Sequence, residues 1–496
     1  MAVVVIGGGI TGLVAAHTLA RAGVPTTLVE GTDRLGGKIQ TTLIDGFLIE
    51  SGPDSFIRFR PNAVELVREL GLEHALIRPS EPRVVHVLVN GRLVPLPEGM
   101  GLGLPSRLGP LLTTDMFSLR EKLRMGLDVV LPRGPLEGDI AIGALLRRRL
   151  GDALVDRLAG PLLGGVYGTP IDELSLLAVA PHLRDTERDH RSFLLATVAS
   201  RRKAAGGGES PFATLEGGVG QLVDALVEEL HRSDRVRVRL QTRVESLERL
   251  ERGADVLLAG GEVLPADAVV LTTPGPVSAQ LLERPAPAAA AHVRSIPHGS
   301  TAVVSLAYDG TQLPSGFASH GFLVAYGEPL AIDACTVSSQ KWAGRAPHGS
   351  VLLRVFVGAR RPLLLEATDA ALVRAVQDDL AGVVGLRGDP LLVHVSRWRD
   401  CMPQYTVGHL DRVAAAFSSL DGTPFILAGA AYRGAGLPDC IAQGRSAAAQ
   451  ARAALEAERM PNDGTVDLLG SQPTNNYGRS AAAIGVVADG RGDPDG

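Results

Sequence analysis

Residues 2–30 read AVVVIGGGITGLVAAHTLARAGVPTTLVE, and this stretch decides the fold. Residues 2–6 are a short, β-branched apolar run of the kind that forms a buried parallel strand. Gly7, Gly8, Gly9, Ile10, Thr11 and Gly12 follow, with glycines spaced as GxGxxG. The next ten residues, 13–22, read as a small-residue helix that Gly23 closes as a C-cap. A second strand over 26–30 completes a βαβ unit. In that setting Gly7 permits the tight turn, Gly9 lets backbone approach a pyrophosphate, and Gly12 lets helix and strand pack closely. The helix N-terminus turns its unpaired N–H groups and positive dipole end toward the phosphates. Glu30 ends the second strand, where a carboxylate accepts ribose hydroxyls and repels a 2′-phosphate.

That unit serves NAD and FAD alike, so further features must separate them. Arg34-Leu35-Gly36-Gly37-Lys38 sets a second glycine pair just past the ribose carboxylate. This arrangement resembles the FAD domain of glutathione-reductase type, with Gly37 and Lys38 passing close to an extended cofactor. Next comes a Gly-Pro turn in Glu50-Ser51-Gly52-Pro53-Asp54-Ser55-Phe56, whose residues Gly52, Pro53, Asp54 and Ser55 are candidates to lie against the flavin. Finally, Gly429-Ala430-Ala431 and Gly434-Ala435-Gly436-Leu437-Pro438 follow a buried strand and precede a helix. Ala430, Ala435, Gly436 and Leu437 thereby form a second helix entrance, suited to the negative charge a reduced flavin carries at its N1–C2=O edge. An NAD dehydrogenase accounts only for the first of these devices. The cofactor read from the sequence is FAD.

The expected fold is α/β: an FAD domain of Rossmann topology, an antiparallel-sheet substrate domain and a helical insertion. Segments 1–81, 208–290 and 405–459 are assigned to the discontinuous FAD domain. Residues 82–207 read as a mostly helical insertion on the substrate or membrane side. Alternating runs such as STAVVSLAY and VLLRVFV place the sheet in 291–404. Residues 204–210 are expected to be a flexible loop, and 460–496 a disordered tail.

Composition narrows the function classes. A formal net charge of −5 gives no electrostatic reason to expect nucleic acid. Three cysteines at no metal-like spacing argue against a disulfide scaffold or a metal site, and suit a reducing cytoplasm. The apolar N-terminus is broken by glycines and lacks a basic leader, and no apolar run is long enough to span a bilayer. At most a peripheral membrane contact is expected.

Beyond these local readings, the chain resembles the soluble bacterial protoporphyrinogen/coproporphyrinogen oxidases. The resemblance runs through GGGITG, LGGKIQT, GPDSF, PLLGGVYGTPIDELSLLA, TLEGGVGQLVDAL, RWRDCMPQYTVGHLDRV and GAAYRGAGLPDCIAQGRSAA, covering residues 2–455. It implies a six-electron aromatisation of a porphyrinogen in three two-electron steps, with O₂ reduced to H₂O₂ at each. It also implies that Arg60 meets a propionate, with Arg58 able to share or take that role and a solvated arginine as the alternative. Tyr167 falls in a pocket-lining turn, Trp398 near the flavin, and Val244 where backbone holds the adenine. Gln404 and His409 read as structural. His182, Arg184, Arg188, His190 and Arg191 form either a basic rim or a solvated face. Coproporphyrinogen III is the preferred substrate, with product hand-off to a ferrochelatase; protoporphyrinogen IX is the alternative. A flavin amine oxidase and a non-catalytic escort of the same fold are the remoter ones.

Overall fold

The computed structural model describes residues 2–98, 100–101, 104–105, 108–134, 137–196, 210–314, 316–358 and 361–459. The expected loop at 204–210, apart from Ser210, and the tail 460–496 lie outside them.

Five parallel strands form the nucleotide-binding sheet, in the order Val236–Arg239, Thr26–Val29, Val3–Ile6, Ala268–Leu271 and Phe425–Leu427. The opening strand is buried on both faces. Val3 and Val5 enter one core with the helices Ile10–Arg21, Gly220–Arg232 and Leu437–Arg459, while Val4 and Ile6 enter the other. The second core lies under a three-stranded meander of Val244–Arg249, Ala254–Leu258 and Val263–Ala266. The helix Leu437–Arg459 packs on Ile10–Arg21, and a Cβ at Gly444 would lie 2.5 Å from the Thr11 carbonyl oxygen. The last helix of the chain is thus locked to the first.

The second sheet has seven strands, in the order Leu392–Pro403, His298–Asp309, Ser350–Val357, Ala334–Val337, Gly321–Val324, His86–Val89 and Arg92–Pro95. Two expectations change here. The sheet is mixed, because Gly321–Val324 and His86–Val89 pair in parallel. In addition, the segment expected to be mostly helical begins with the two strands His86–Val89 and Arg92–Pro95. They form a hairpin through Asn90 and Gly91, whose φ values of 52° and 70° suit a primed two-residue turn. Helices follow, at Leu108–Thr113, Leu119–Gly126, Ile142–Leu150, Gly160–Tyr167 and Pro181–His190, closing around a third core that includes Leu145, Leu158 and Phe193. Among the described residues no helix is long and apolar enough to cross a membrane.

Candidate functional site

The glycine loop sits at the carboxyl ends of the parallel strands, held from both sides. Thr272 Oγ1 donates within reach of the Ile6 and Gly7 carbonyls, at 3.0 and 2.9 Å. A Cβ at Gly12 would fall 1.9 Å from the Gly7 carbonyl oxygen, so the helix approaches the strand as the sequence requires. A Cβ at Gly9 would meet nothing within 4 Å. The loop is therefore open at the one glycine assigned to face a pyrophosphate.

Glu30 reaches back over this loop. Its Oε2 accepts from Gly8 N at 2.7 Å, and its Oε1 accepts from Thr32 N and Oγ1 at 2.8 and 2.9 Å. The second glycine pair closes on the first. Gly36 N donates to Gly8 O at 2.8 Å, and a Cβ at Gly37 would lie 3.1 Å from Gly9 Cα. Thr242 N donates to Glu30 O, which brings the start of the Val244–Arg249 strand beside the ribose carboxylate. Gly7 to Gly12, Glu30, Gly37 and Val244 are thus one neighbourhood. An open backbone cradle and an adjacent carboxylate fit the adenosine and pyrophosphate half of a dinucleotide.

The other end is built from four parts of the chain. Trp398 Nε1 donates to Ser51 O at 2.8 Å, tying the substrate sheet to the turn that carries Gly52, Pro53 and Ser55. Tyr405 Oη donates to Ala430 O at 2.7 Å and accepts from Gly434 N at 2.9 Å, bracing the second helix entrance. Gln443 Nε2 donates to Gly434 O at 3.1 Å, holding the same loop from inside the helix that follows Ala435 and Gly436 and begins at Leu437. His298 lies beside Gly275, with Nδ1 2.9 Å from Ile296 O and a buried Nε2 that has no protein partner. Burial lowers its imidazole, Ile296 O acts the other way, and the Lys38 ammonium lowers it further. Lys38, His298 and the Ala430 loop therefore share one region.

Asp54 is placed differently from the expectation that it lies on the cofactor. Its carboxylate accepts from Lys341 Nζ at 2.9 Å and Trp342 Nε1 at 3.1 Å, and lies 3.4 Å from Arg354 Nη1. Burial would raise this carboxyl, but Lys341 and Arg354 outweigh it and hold the group below the ordinary aspartate range. Asp54 fixes the Gly52-Pro53 turn from behind. Arg354 also donates to Gly52 O.

On the substrate side, Arg60 caps the helix Pro61–Glu69 and is ion-paired with Asp439, in the first turn of the last helix. Burial pushes the Asp439 carboxyl up, against the pull of Arg60. Burial also raises the Tyr167 phenol, on which Arg60 and Asp439 act in opposite directions, so the three form one cluster. The Tyr167 ring lies 6.2 Å from that of Tyr405, which links this cluster to the Ala430 loop. Arg58 extends the strand pairing instead: its N–H donates to Pro211 O at 2.9 Å. The basic set on Pro181–His190 does not form a common rim. Arg188 pairs with Asp185 and Asp189, while Arg191 donates to the carbonyls of Val130 and Leu131. Gln404 Nε2 donates to Gly168 O at 2.9 Å, and His409 Nε2 lies 2.8 Å from Tyr432 O.

Tyr405, Asp439, Gln443 and His298 were not picked out as site residues. The first three stand in the MPQY and GLPDCIAQG stretches, where the signal was visible; His298 has none.

The comparisons with known proteins agree with this geometry. Residues 10–452 match the family of flavin containing amine oxidoreductases. A coproporphyrinogen III oxidase of Propionibacterium freudenreichii is 46% identical over 479 residues, covering 90% of this chain and 89% of that one. One of Bacillus subtilis is 36% identical over 464 residues, covering 90% and 97%. A solved structure from Exiguobacterium, provisionally assigned as a protoporphyrinogen oxidase, superposes with a TM-score of 0.81 at 34% identity, covering 92% and 99%. The chain belongs to the flavin-containing amine oxidoreductases, with FAD as its cofactor, and within them to the family of the bacterial coproporphyrinogen III oxidases.

Proposed function

We propose that this enzyme oxidises coproporphyrinogen III to coproporphyrin III, a six-electron aromatisation with O₂ as final acceptor and H₂O₂ as by-product. The observation that carries this reading is likeness, along nine-tenths of the chain, to oxidases of that name. The Arg60–Asp439–Tyr167 cluster beside the Ala430 loop supports it. Bound FAD supplies the electron sink, taking a hydride from a bridge carbon of the macrocycle.

The chain's own residues bind, orient and exclude water. We assign backbone N–H groups of Gly7 to Gly12 to the pyrophosphate, Glu30 to the ribose and Val244 backbone to the adenine. Gly37, Lys38, Gly52, Pro53, Ser55, Trp398, Ala430, Ala435, Gly436 and Leu437 frame the flavin half, and Asp54 steadies that frame. Arg60 is the cation assigned to a propionate, which competes with Asp439 for the guanidinium. Tyr167, protonated at neutral pH, offers a phenol and an apolar ring to the pocket. The protein's part is positioning and desolvation of the disc, and no side chain is assigned as a base. Within the same reading, product passes to a ferrochelatase and the enzyme works in the cytoplasm, touching a membrane only at its surface.

A second reading, protoporphyrinogen IX oxidation, is favoured by the name of the Exiguobacterium structure. Aerobic oxidation of both porphyrinogens by the flavinated protein, followed by porphyrin fluorescence, separates the two. Higher kcat/KM on coproporphyrinogen III is the expected result. The reverse preference transfers the enzyme to the second reading. Turnover of neither removes both and returns the question to amine oxidation.

A further inference from the structure

The helix Leu119–Gly126 buries only Met125, whereas a surface helix ordinarily turns its apolar stripe inward. Leu119 and Leu123 stand four residues apart on its outer side, and the 3-10 turn Leu127–Val129 continues the row with Leu127. Leu119, Leu123 and Leu127 are 74%, 66% and 48% exposed, and Leu112 and Val130 nearby are 61% and 65% exposed. Lys122 Nζ donates to Leu112 O at 2.7 Å, which brings Leu112 alongside the row.

This face is held outward by a rigid foundation. Asp128, fully buried with Arg149, accepts from Arg149 Nε at 2.6 Å, Ser192 Oγ at 2.6 Å and Leu194 N at 2.9 Å. Arg157 grips both oxygens of Glu121 at 2.9 and 2.8 Å. These two pairs also neutralise two of the three acids between 112 and 130, leaving Asp115 against Arg120, Lys122 and Arg124. The helical step sets Arg120 on one flank of the leucine row and Lys122 on the other. A leucine row between cations is complementary to an anionic lipid surface: the apolar groups enter the acyl boundary and the cations meet headgroups. A two-fold contact with a second copy would instead set these same cations against each other.

We propose that this face docks the enzyme onto an anionic lipid bilayer, whichever porphyrinogen it oxidises. The test is co-sedimentation of the flavinated protein with phosphatidylcholine vesicles, with and without phosphatidylglycerol. Vesicles containing phosphatidylglycerol should retain the protein more strongly. The double variant Leu119→Ser/Leu123→Ser should lower partitioning on the order of a hundredfold, with flavin absorbance and circular dichroism unchanged. Arg120→Glu/Lys122→Glu should abolish the preference for phosphatidylglycerol. Failure of the wild-type protein to bind anionic vesicles, equal retention by both vesicle types, or undiminished binding by the leucine variant overturns the proposal. A dimer that the leucine variant converts to monomer, without vesicle binding, also overturns it and gives the face to a second copy.

Discussion

Gly9 and Gly12 stand three residues apart in one loop, yet a side chain meets different obstacles at the two. At Gly12 it strikes the Gly7 carbonyl, so substitution there damages the fold. At Gly9 a Cβ has open space, so substitution there tests the ligand alone. Gly9→Val is expected to fold with unchanged circular dichroism but to purify without FAD absorbance, because the side chain takes pyrophosphate space. A fully flavinated variant would remove Gly9 from the cofactor path. Arg60 needs a paired test, because removing it strands a buried carboxylate. Arg60→Ala is expected to raise KM about tenfold with a smaller fall in kcat, the mark of a uniform binding contact. Arg60→Ala/Asp439→Asn removes the stranded charge and should recover stability, measured by thermal unfolding, without recovering KM. If the double variant regains wild-type KM, Arg60 acts only through Asp439 and does not touch substrate.

At the scale of elements, what the sequence disclosed depended on how local the cause was. The opening strand, glycine turn and helix are decided within 30 residues, and the structure has them at Val3–Ile6, Gly7–Gly9 and Ile10–Arg21. The hairpin His86–Pro95 was also legible, since Asn90-Gly91 between apolar runs is a strong short-range turn signal. It was missed because the surrounding helix periodicity dominated the reading. Asp54 was illegible in another way, because its partners Lys341, Trp342 and Arg354 lie nearly three hundred residues downstream. The Arg60–Asp439 pair is hidden likewise, since its two members are 379 positions apart. Sequence patterns identify the turn that carries Asp54, but not which way its carboxylate points. That orientation has a measurable consequence. Asp54→Asn leaves Lys341 and Arg354 partly buried without their anion, and should lower the unfolding free energy by about 3 kcal/mol. Denaturant unfolding of the flavinated protein checks it, and a loss below about 1 kcal/mol would show the hub to be dispensable.

Taken across the whole molecule, the histidines give its stability a pH dependence of definite sign. Burial holds His17, His86, His182, His298, His320, His394 and His409 below the ordinary imidazole value of 6.5. His409 is the extreme, lowered to about 4 by burial, with Arg412 adding to the shift and Asp139 opposing it. Its ring stacks on Tyr405 at 4.0 Å, and its Nε2–H donates to Tyr432 O, so the neutral tautomer is built into the contact between the FAD-side helix and the Ala430 loop. Between pH 6.5 and about 4 the unfolded chain binds a proton at this site that the folded chain refuses. Stability contributed by neutral His409 is therefore complete above 6.5 and lost as pH falls, by about 3 kcal/mol over the interval. Buried carboxyls such as Glu50 and Asp439, whose values are raised, act with the opposite sign and soften the total slope. The contribution of one residue is isolated by difference. His409→Gln keeps a donor for the Tyr432 carbonyl but cannot titrate. From about pH 7 to about pH 5, its unfolding free energy should fall by about 2 kcal/mol less than that of the wild type. Equal falls in the two proteins would mean that His409 already carries its proton in the folded state, and would break the link between its burial and acid sensitivity.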